Sequence, residues 1–305
     1  MNFTWLEDFL ALAATGNFSR AAEQRHSSQP AFSRRIRALE TWLGVALVDR
    51  SSQPARLTEA GDWFRAIAED LVARAARLPG EARQVAQASS TTLRIASTHA
   101  LSFTFLPRWL LGLESTLRLG PVELTSDVLE RCEAQMQQGS VHFVLGHAHP
   151  TLRSALDTGD YLSARIGQDR LVAVSQPLPG GQPRHRLDAP STAGLAVLAY
   201  TEESGLGRIV RAVLGPRLEA LPTQIAFTAH LASVLRSMAL DGRGAAWLPH
   251  TLVQDDLAAG RLVAAGLDHW DIDLEIRLYR PSNLASRAAQ EAWQLAIASA
   301  VPRKD

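Results

Sequence analysis

Arg34, Arg35 and Arg37 fall within the segment SSQPAFSRRIRALE (Ser27–Glu40) of a chain whose 31 basic and 31 acidic residues balance. A guanidinium is a planar, permanently charged fork that pairs with phosphate oxygens or with O6 and N7 of a guanine edge. His142, His147 and His149 (HxxxxHxH) form a second set, of the kind that binds metals or exchanges a proton near neutral pH. No cysteine or acid completes a metal shell around them, so no metal is expected. Cys132 and Met136, one turn apart, are a third set, open in principle to oxidation; a buried, inert pair is the commoner case.

The arginines need a helix to present them. Ser27 and Ser28 precede Gln29 and Pro30, where a serine oxygen can cap a helix and a proline in the first turn costs no hydrogen bond. Phe32, Ile36, Leu39 and Leu43 then step by four, three and four, which stacks them on one buried face. Pro30, Arg34, Arg37, Ala38 and Thr41 fall opposite, with Ser33 and Arg35 on the flanks. A first helix around Trp5–Leu12 ends at Gly16 and Asn17, a short second one follows over NFSRAAEQR, and HSS is a tight turn. Two short helices joined by such a turn, the second displaying arginine, form the helix-turn-helix pattern, whose second helix enters the DNA major groove. VALVDRSSQPARLT adds two short β-prone pieces, a small wing. Between Asn17 and Arg37 stand five arginines against one acid, Glu23, so the positive charge is local.

From Thr58 a long helix carries Ala60, Phe64, Ile67, Leu71, Ala75, Leu78, Ala82 and Val85 at threes and fours, a seam for pairing with a second chain. Pro79–Gly80 predicts a kink or break, and QASSTT (Gln87–Thr92) reads as a linker. The expected domains are 1–57, 58–90 and 91–305.

Composition excludes several classes. A hydrophobic content of 46% is that of a globular chain. There is no run of 18 apolar residues, and Glu7 and Asp8 stand where a signal peptide needs a basic then apolar start, so neither a membrane span nor export is expected. With Cys132 the only cysteine, a cytoplasmic protein is the expectation. Overall neutrality argues against general coating of nucleic acid. No nucleophile elbow, P-loop or dinucleotide fingerprint occurs, and GLGR holds only a fragment of the glycine pattern, so neither catalysis nor a cofactor is expected.

Beyond Thr92 strand-like pieces (LRIAST, VELTSDV, VHFVLGH, LVAVSQ, LAVLAY, TQIAFTA, GAAWLP, IDLEIRLY) alternate with helical ones. This pattern predicts an α/β fold with mostly parallel sheets, in two lobes: one from about 91–164 and 268–305, the other from 165–267. Ligand sites in open α/β sheets lie beyond the carboxyl ends of strands. That rule picks out Thr98, His99, Ser102, His147, Tyr200, Thr201, Thr228 and His230, where helix starts also supply N–H groups for a polar or anionic small molecule.

Over nearly its whole length the chain resembles LysR-type transcriptional regulators. NFSRAAEQ, SSQPAFSRRIRALE, LVDR with LTEAG, and DGRGAAWLPHTLV followed by GRLV carry the resemblance. It implies a winged helix-turn-helix, a dimerising linker helix and a two-lobed effector domain similar to periplasmic solute-binding proteins. Carried over by motif, Gln29, Pro30, Ser33, Arg34 and Arg37 would face double-stranded operator DNA and Arg50 would touch its backbone. The implied assembly is a homodimer or homotetramer. AFSRRIRALE, AYTEESGLGR and ALDGRGAAWLP look most like the hypochlorite-responsive branch, but Leu206 and His230 stand where its methionines are expected, and His142 stands where the family more often has an acid. Two alternatives follow: a regulator switched by oxidation of Cys132, Met136 or Met238, and a solute-binding protein with a helical assembly module.

Overall fold

The structure, a computed structural model, describes residues 2–51, 54–86, 91–188 and 194–298. Its chain divides into two compact units, 1–79 and 80–305.

The first unit holds α1 (Phe3–Thr15), α2 (Phe18–Gln24), α3 (Gln29–Leu43), β1 (Val48–Asp49), β2 (Arg56–Leu57) and most of α4 (Glu59–Ala86). Asn2 caps α1, and Gly16 ends it in the left-handed conformation at φ 60°. The Asn17 side chain then accepts from the N–H groups of Ser19 and Arg20, starting α2. Leu6, Phe9 and Leu12 of α1, Ala21 and Ala22 of α2, and Phe32, Ile36 and Leu39 of α3 close one core, as the spacing predicts. β1 and β2 pair antiparallel as the wing. Ser28 occupies the N-cap of α3 but makes no side-chain capping bond, contrary to expectation.

The helix α4 is continuous through Pro79, so of the expected kink or break the break is not formed. One expectation for α4 needs correction. Phe64 does not belong to an open seam: it is buried against Phe9, ring centroids 5.4 Å apart, and Leu71 packs on the same core. Among the described side chains, the large apolar ones exposed on α4 are Trp63, Ile67 and Leu78. A helix that must cover its own domain's core offers only its other face to a partner. The expected linker at 87–90 lies outside the described residues.

The second unit contains β3 (Leu93–Thr98), α5 (His99–Thr104), α6 (Leu106–Glu114), β4 (Val122–Asp127), α7 (Leu129–Gln137), β5 (Phe143–Ala148), β6 (Tyr161–Ser175), β7 (Leu195–Tyr200), α8 (Gly205–Glu219), β8 (Thr223–Ala229), α9 (Ala232–Leu240), β9 (Ala246–Pro249), α10 (His250–Ala258), β10 (Val263–Ala264), β11 (Ile272–Pro281) and α11 (Arg287–Ala298). One sheet runs β10-β6-β11-β5-β3-β4 with β9 also on β6, while β7 and β8 pair separately. The β3–β4, β3–β5 and β7–β8 pairs are parallel, but β11 is antiparallel to both β5 and β6, and β6 to β9 and β10. The sheet is therefore mixed, not mostly parallel. A chain that crosses from one lobe to the other and back must run its two crossing strands in opposite directions.

Those crossing strands are β6 and β11, paired from Ile272↔Leu171 to Pro281↔Tyr161. Leu171 and Leu274 belong to one core with β7, α8, α9 and β9; Ile166, Ile276 and Leu278 belong to another with β3, β5 and α11. The ribbon is the hinge between two separately packed lobes. Ile272, Leu274, Ile276 and Leu278 are all buried along β11, the covered face that their alternation predicts.

Candidate functional site

Two surfaces carry the candidate residues. On α3, Gln29, Pro30, Arg34 and Arg37 are exposed and Ser33 is half-buried, because Phe32, Ile36 and Leu39 take the opposite face into the core. Among the described residues no acid stands within ion-pair distance of Arg20, Arg34 or Arg37. Arg25 and Arg35 are different. Both bond the buried carboxylate of Asp8 on α1, and Arg25 also pairs with Glu7. The local positive charge counted along the sequence is thus partly neutralised by acids of the first helix. Asp8 instead ties α1 to the end of α2 and to the outer flank of α3. Arg50 donates to Glu40 at 2.7 Å and lies 5.6 Å over the Phe18 ring, so the wing arginine is oriented by α3 and α2.

The turn between α2 and α3 places His26 at φ 48°. The Ser27 N–H donates to the Ala22 carbonyl and the His26 N–H to that of Glu23, a Schellman cap in which a histidine fills the place glycine usually takes. This sets the departure angle of α3.

In the second unit the lobes face each other across a cleft. One chamber of about 40 Å³ is lined by Thr98, His99, Asp127, His147, Ser204, Gly205 and His230 among others, and a neighbouring chamber of about 50 Å³ by His147, His149, Arg153, Ser154, Arg208 and Tyr279 among others. Leu129 and Gly205 border both. A Cβ on Gly205 would stand 3.0 Å from a Leu129 methyl, so the bare glycine lets α8 of one lobe meet α7 of the other.

Each polar group of the cleft has a definite setting. His99 Nδ1 is 3.0 Å from Ser126 Oγ, which accepts from Ser102 at 2.9 Å; Ser102 is not among the residues that line the chamber. Burial holds the His99 pKa below the ordinary value despite the nearby Asp127 carboxylate, and His230, with its ring centroid 6.1 Å away, pushes the same way as burial. His147 Nε2 is 3.3 Å from the Asp169 carboxylate, which also accepts from the Thr251 hydroxyl at 2.6 Å. Burial raises the Asp169 pKa, but the His147, Thr251 and Arg170 N–H partners outweigh it and hold the group below its usual range. His147 thus links the cleft to the hinge strand β6 and to α10. Thr98 lines the first chamber, and its Oγ1 is buried without a hydrogen-bond partner, a group whose desolvation is uncompensated until something polar meets it.

The structure brings Thr98, His99, His147 and His230 together and leaves the other candidates elsewhere. Tyr200 is buried with its hydroxyl on the Trp247 carbonyl, inside lobe II. Thr228 is exposed on β8, and Thr201 is absent from the cleft lining with its hydroxyl buried and unpaired. The strand-end rule finds the right end of the sheet but not which of two successive side chains turns toward the partner lobe. Asp127, Leu129, Ser204 and Gly205 were missed. Asp127 ends β4 by that same rule, and Ser204 is a legible N-cap, its hydroxyl accepting from Gly207 N–H. His142 and Cys132 lie outside the cleft. His142 accepts from the Arg94 N–H, and burial with the neighbouring Arg94 pushes its pKa down to about 4. Cys132 is fully buried with its thiol pushed up to about 12, chiefly by burial.

Residues 3–62 match the bacterial regulatory helix-turn-helix protein of the lysR family, and residues 86–300 match the LysR substrate binding domain. The chain belongs to the LysR family of regulators. It is 30% identical to the HTH-type transcriptional regulator YjiE of Escherichia coli over 95% of this chain and 92% of that one. Full-length HypT of Salmonella typhimurium, a hypochlorite-specific LysR-type regulator, aligns with a TM-score of 0.59 at 28% identity, covering 98% of this chain and 97% of that one. Vibrio fischeri DarR, solved in complex with DNA, aligns with a TM-score of 0.58 at 28% identity, covering 97% and 98%. This LysR-family chain is accordingly a DNA-binding transcriptional regulator with an effector-binding domain, and not an enzyme. No described helix is long and apolar enough to cross a membrane.

Proposed function

We propose that α3 reads operator DNA through Arg34 and Arg37, and that a small polar molecule between the lobes sets how the regulator sits on that DNA. The observation that carries the first part is that Arg34 and Arg37 are exposed on one face while their neighbours Arg25 and Arg35 are consumed by Asp8. A fork on an exposed helix face with no carboxylate partner is what base reading needs; Arg34 spends only its Nε, 3.4 Å from the Pro30 carbonyl. Gln29, Pro30 and Ser33 flank it, and the uncapped N-terminus of α3 leaves N–H groups for a backbone phosphate. Arg50, steered by Glu40 and Phe18, supplies a wing contact. The assembly is a dimer or tetramer formed in part through Trp63, Ile67 and Leu78, and light scattering of a Trp63→Glu variant should show a smaller species.

The unpaired Thr98 hydroxyl supports an effector in the cleft, flanked by His99, His230 and Asp127. A chamber of about 40 Å³ holds about three waters; anything larger than a few atoms requires the lobes to part. A ligand moves the lobes only if it binds one arrangement better than the other. No sulfur lines either chamber, and Leu206 stands at the cleft instead, so an oxidant response through cleft methionines has no residue to act on.

The test is operator affinity at fixed salt, with footprints in cell extract small molecules. Arg34→Ala and Arg37→Ala should each lose about 1 to 3 kcal/mol of discrimination between operator and mutated operator. Thr98→Val should keep basal affinity and lose the response. Wild-type discrimination in both arginine variants refutes the reading of α3; an unchanged response in Thr98→Val refutes the cleft.

A further inference from the structure

A second apolar pocket, open to solvent along one edge, lies outside the cleft. It lies inside lobe II, between α8 and the β7–β8 pair, and measures about 240 Å³. Val197, Tyr200, Val210, Leu218, Ile225 and Trp247 form most of its wall. An apolar cavity of roughly 150 Å³ already admits benzene, so a pocket of this size has room for a single ring. The void has a local origin. Gly207 presses α8 onto β7 at one end, where a Cβ would come within 2.5 Å of Tyr200 Cβ, and the β7–β8 register slips at Val197/Leu198.

The mouth carries a cation. Arg211 donates to the carbonyls of Tyr200 and Thr201 at 3.3 Å and of Glu202 at 3.0 Å. All three are neutral, and no carboxylate among the described residues reaches it. A guanidinium has five N–H donors, so some remain for a ligand. Ile225, two-thirds exposed, forms the open edge. Pockets for small molecules combine apolar walls with one or two placed polar groups, and this cavity has that composition.

We propose that lobe II carries a second small-molecule site, distinct from the interlobe cleft, for a small carboxylate with a single-ring or branched apolar body, its acid end at Arg211. The site is wired to the cleft by one element. Ser204, Gly205 and Leu206 line the cleft chamber, while Gly207, Val210 and Arg211, on the next turns of α8, line this cavity. A ligand that favours one placement of α8 biases what the cleft accepts, and the coupling acts equally in both directions. This consequence depends on the cleft being the effector site; the binding site itself does not.

The experiment uses the full chain with labelled isoleucine, leucine and valine methyls, and benzoate and its neutral isostere benzamide as probes. Benzoate should produce saturable shifts at the Val197, Val210, Leu218 and Ile225 methyls. Ala199→Leu, which narrows the cavity, should weaken both probes at least about tenfold. Arg211→Gln should weaken benzoate by about three- to tenfold and leave benzamide unchanged. The wild-type spectra do not depend on either variant folding. Absence of saturable shifts at those methyls overturns the proposal, as does binding reported only by Leu129 and Leu206 at the cleft. A third outcome, in which the four methyls shift on diluting the protein but not on adding probe, assigns the cavity to a second copy of the chain and also overturns it.

Discussion

The DNA-reading face and the cleft are built in opposite ways. Every residue proposed to read bases lies between Gln29 and Arg37 on a single helix, held by Asp8 and by a three-helix core. The first cleft chamber draws its wall from five separate pieces of chain, at 98–100, 127–129, 147, 204–206, and 230 with 232, contributed by the two lobes that the β6–β11 ribbon joins. One is a local site, and the other is a non-local one assembled from two lobes. A regulator needs both, a reader and a sensor.

The sharpest way to break the local half is Asp8→Ala. Breaking a buried ion pair by removing one partner costs about 3 to 5 kcal/mol, and the lower end applies because the side chains of Arg25 and Arg35 are about one-third exposed. Operator affinity should fall with stability, since α3 loses its tie to α1. Asp256, fully buried between Arg236 and Arg261 in lobe II, is the matched control: Asp256→Ala should cost a similar amount in urea unfolding yet leave operator affinity intact. Equal loss of operator affinity in both variants would erase the distinction between the two units.

A pH experiment separates the units next. His142, neutral in the fold with a pKa near 4, has an ordinary value of 6.5 when unfolded. Between those values the unfolded chain binds the extra proton, so stability rises with pH across that window, is complete above about 6.5 and is lost as pH falls toward 4. The loss amounts to roughly 3 kcal/mol. His142→Asn, which keeps an acceptor for the Arg94 N–H, should flatten the profile of the effector unit and leave the DNA-binding unit unchanged. A profile as steep in the variant as in the wild type would place the titration elsewhere.

How much of this was legible follows the same local and non-local division. Phe32, Ile36 and Leu39 announce their buried face by spacing alone, and Gly16, Asn17 and Pro30 mark the helix ends, because each signal acts within a turn or two of itself. Asp8 was not legible as a partner of Arg25 and Arg35, since nothing in their spacing shows that α1 lays its acid against α2 and α3. Phe64 was misread for a related reason: a stripe of apolar residues does not say whether a partner chain or the domain's own core covers it. In the cleft, chain order placed Thr98, His99, His147 and His230 at the correct strand ends. Tyr200 failed because the last residue of a strand points to one face or the other according to pairing, and here it bonds Trp247 inside lobe II. The antiparallel β6–β11 ribbon was also invisible, because β6 begins at Tyr161 in a stretch, YLSARIGQDR, whose alternation is broken by polar residues on both faces.

The non-local half can be perturbed at its pinch. Gly205→Ala places a methyl 3.0 Å from Leu129 Cδ2 and 3.1 Å from its Cβ, so α8 must back away from α7. Because only the lobe contact suffers, stability should change by less than about 1 kcal/mol. The cleft should open, visible as a larger radius of gyration in solution scattering and faster hydrogen exchange at the first turn of α8. An unchanged radius would mean that Leu129 yields by turning its side chain, and that Gly205 does not set the lobe spacing.

The smallest expected effect belongs to His26. A non-glycine residue in the left-handed region costs about 1 to 2 kcal/mol, and glycine there gives back part of that while adding freedom to the unfolded chain, so His26→Gly should raise stability by about 0.5 to 1 kcal/mol. The Schellman bonds from His26 and Ser27 use only backbone atoms, so they survive the change and α3 keeps its direction. If the histidine only fills a turn, the variant melts higher and binds operator as before. Should it melt higher and bind more weakly at fixed salt, the strain is retained for a contact with DNA, as strained residues at functional sites often are, and the reading surface extends one turn before α3. A lower melting temperature would show that the exposed imidazole itself stabilises the turn, and the account of His26 as a strained cap would fail.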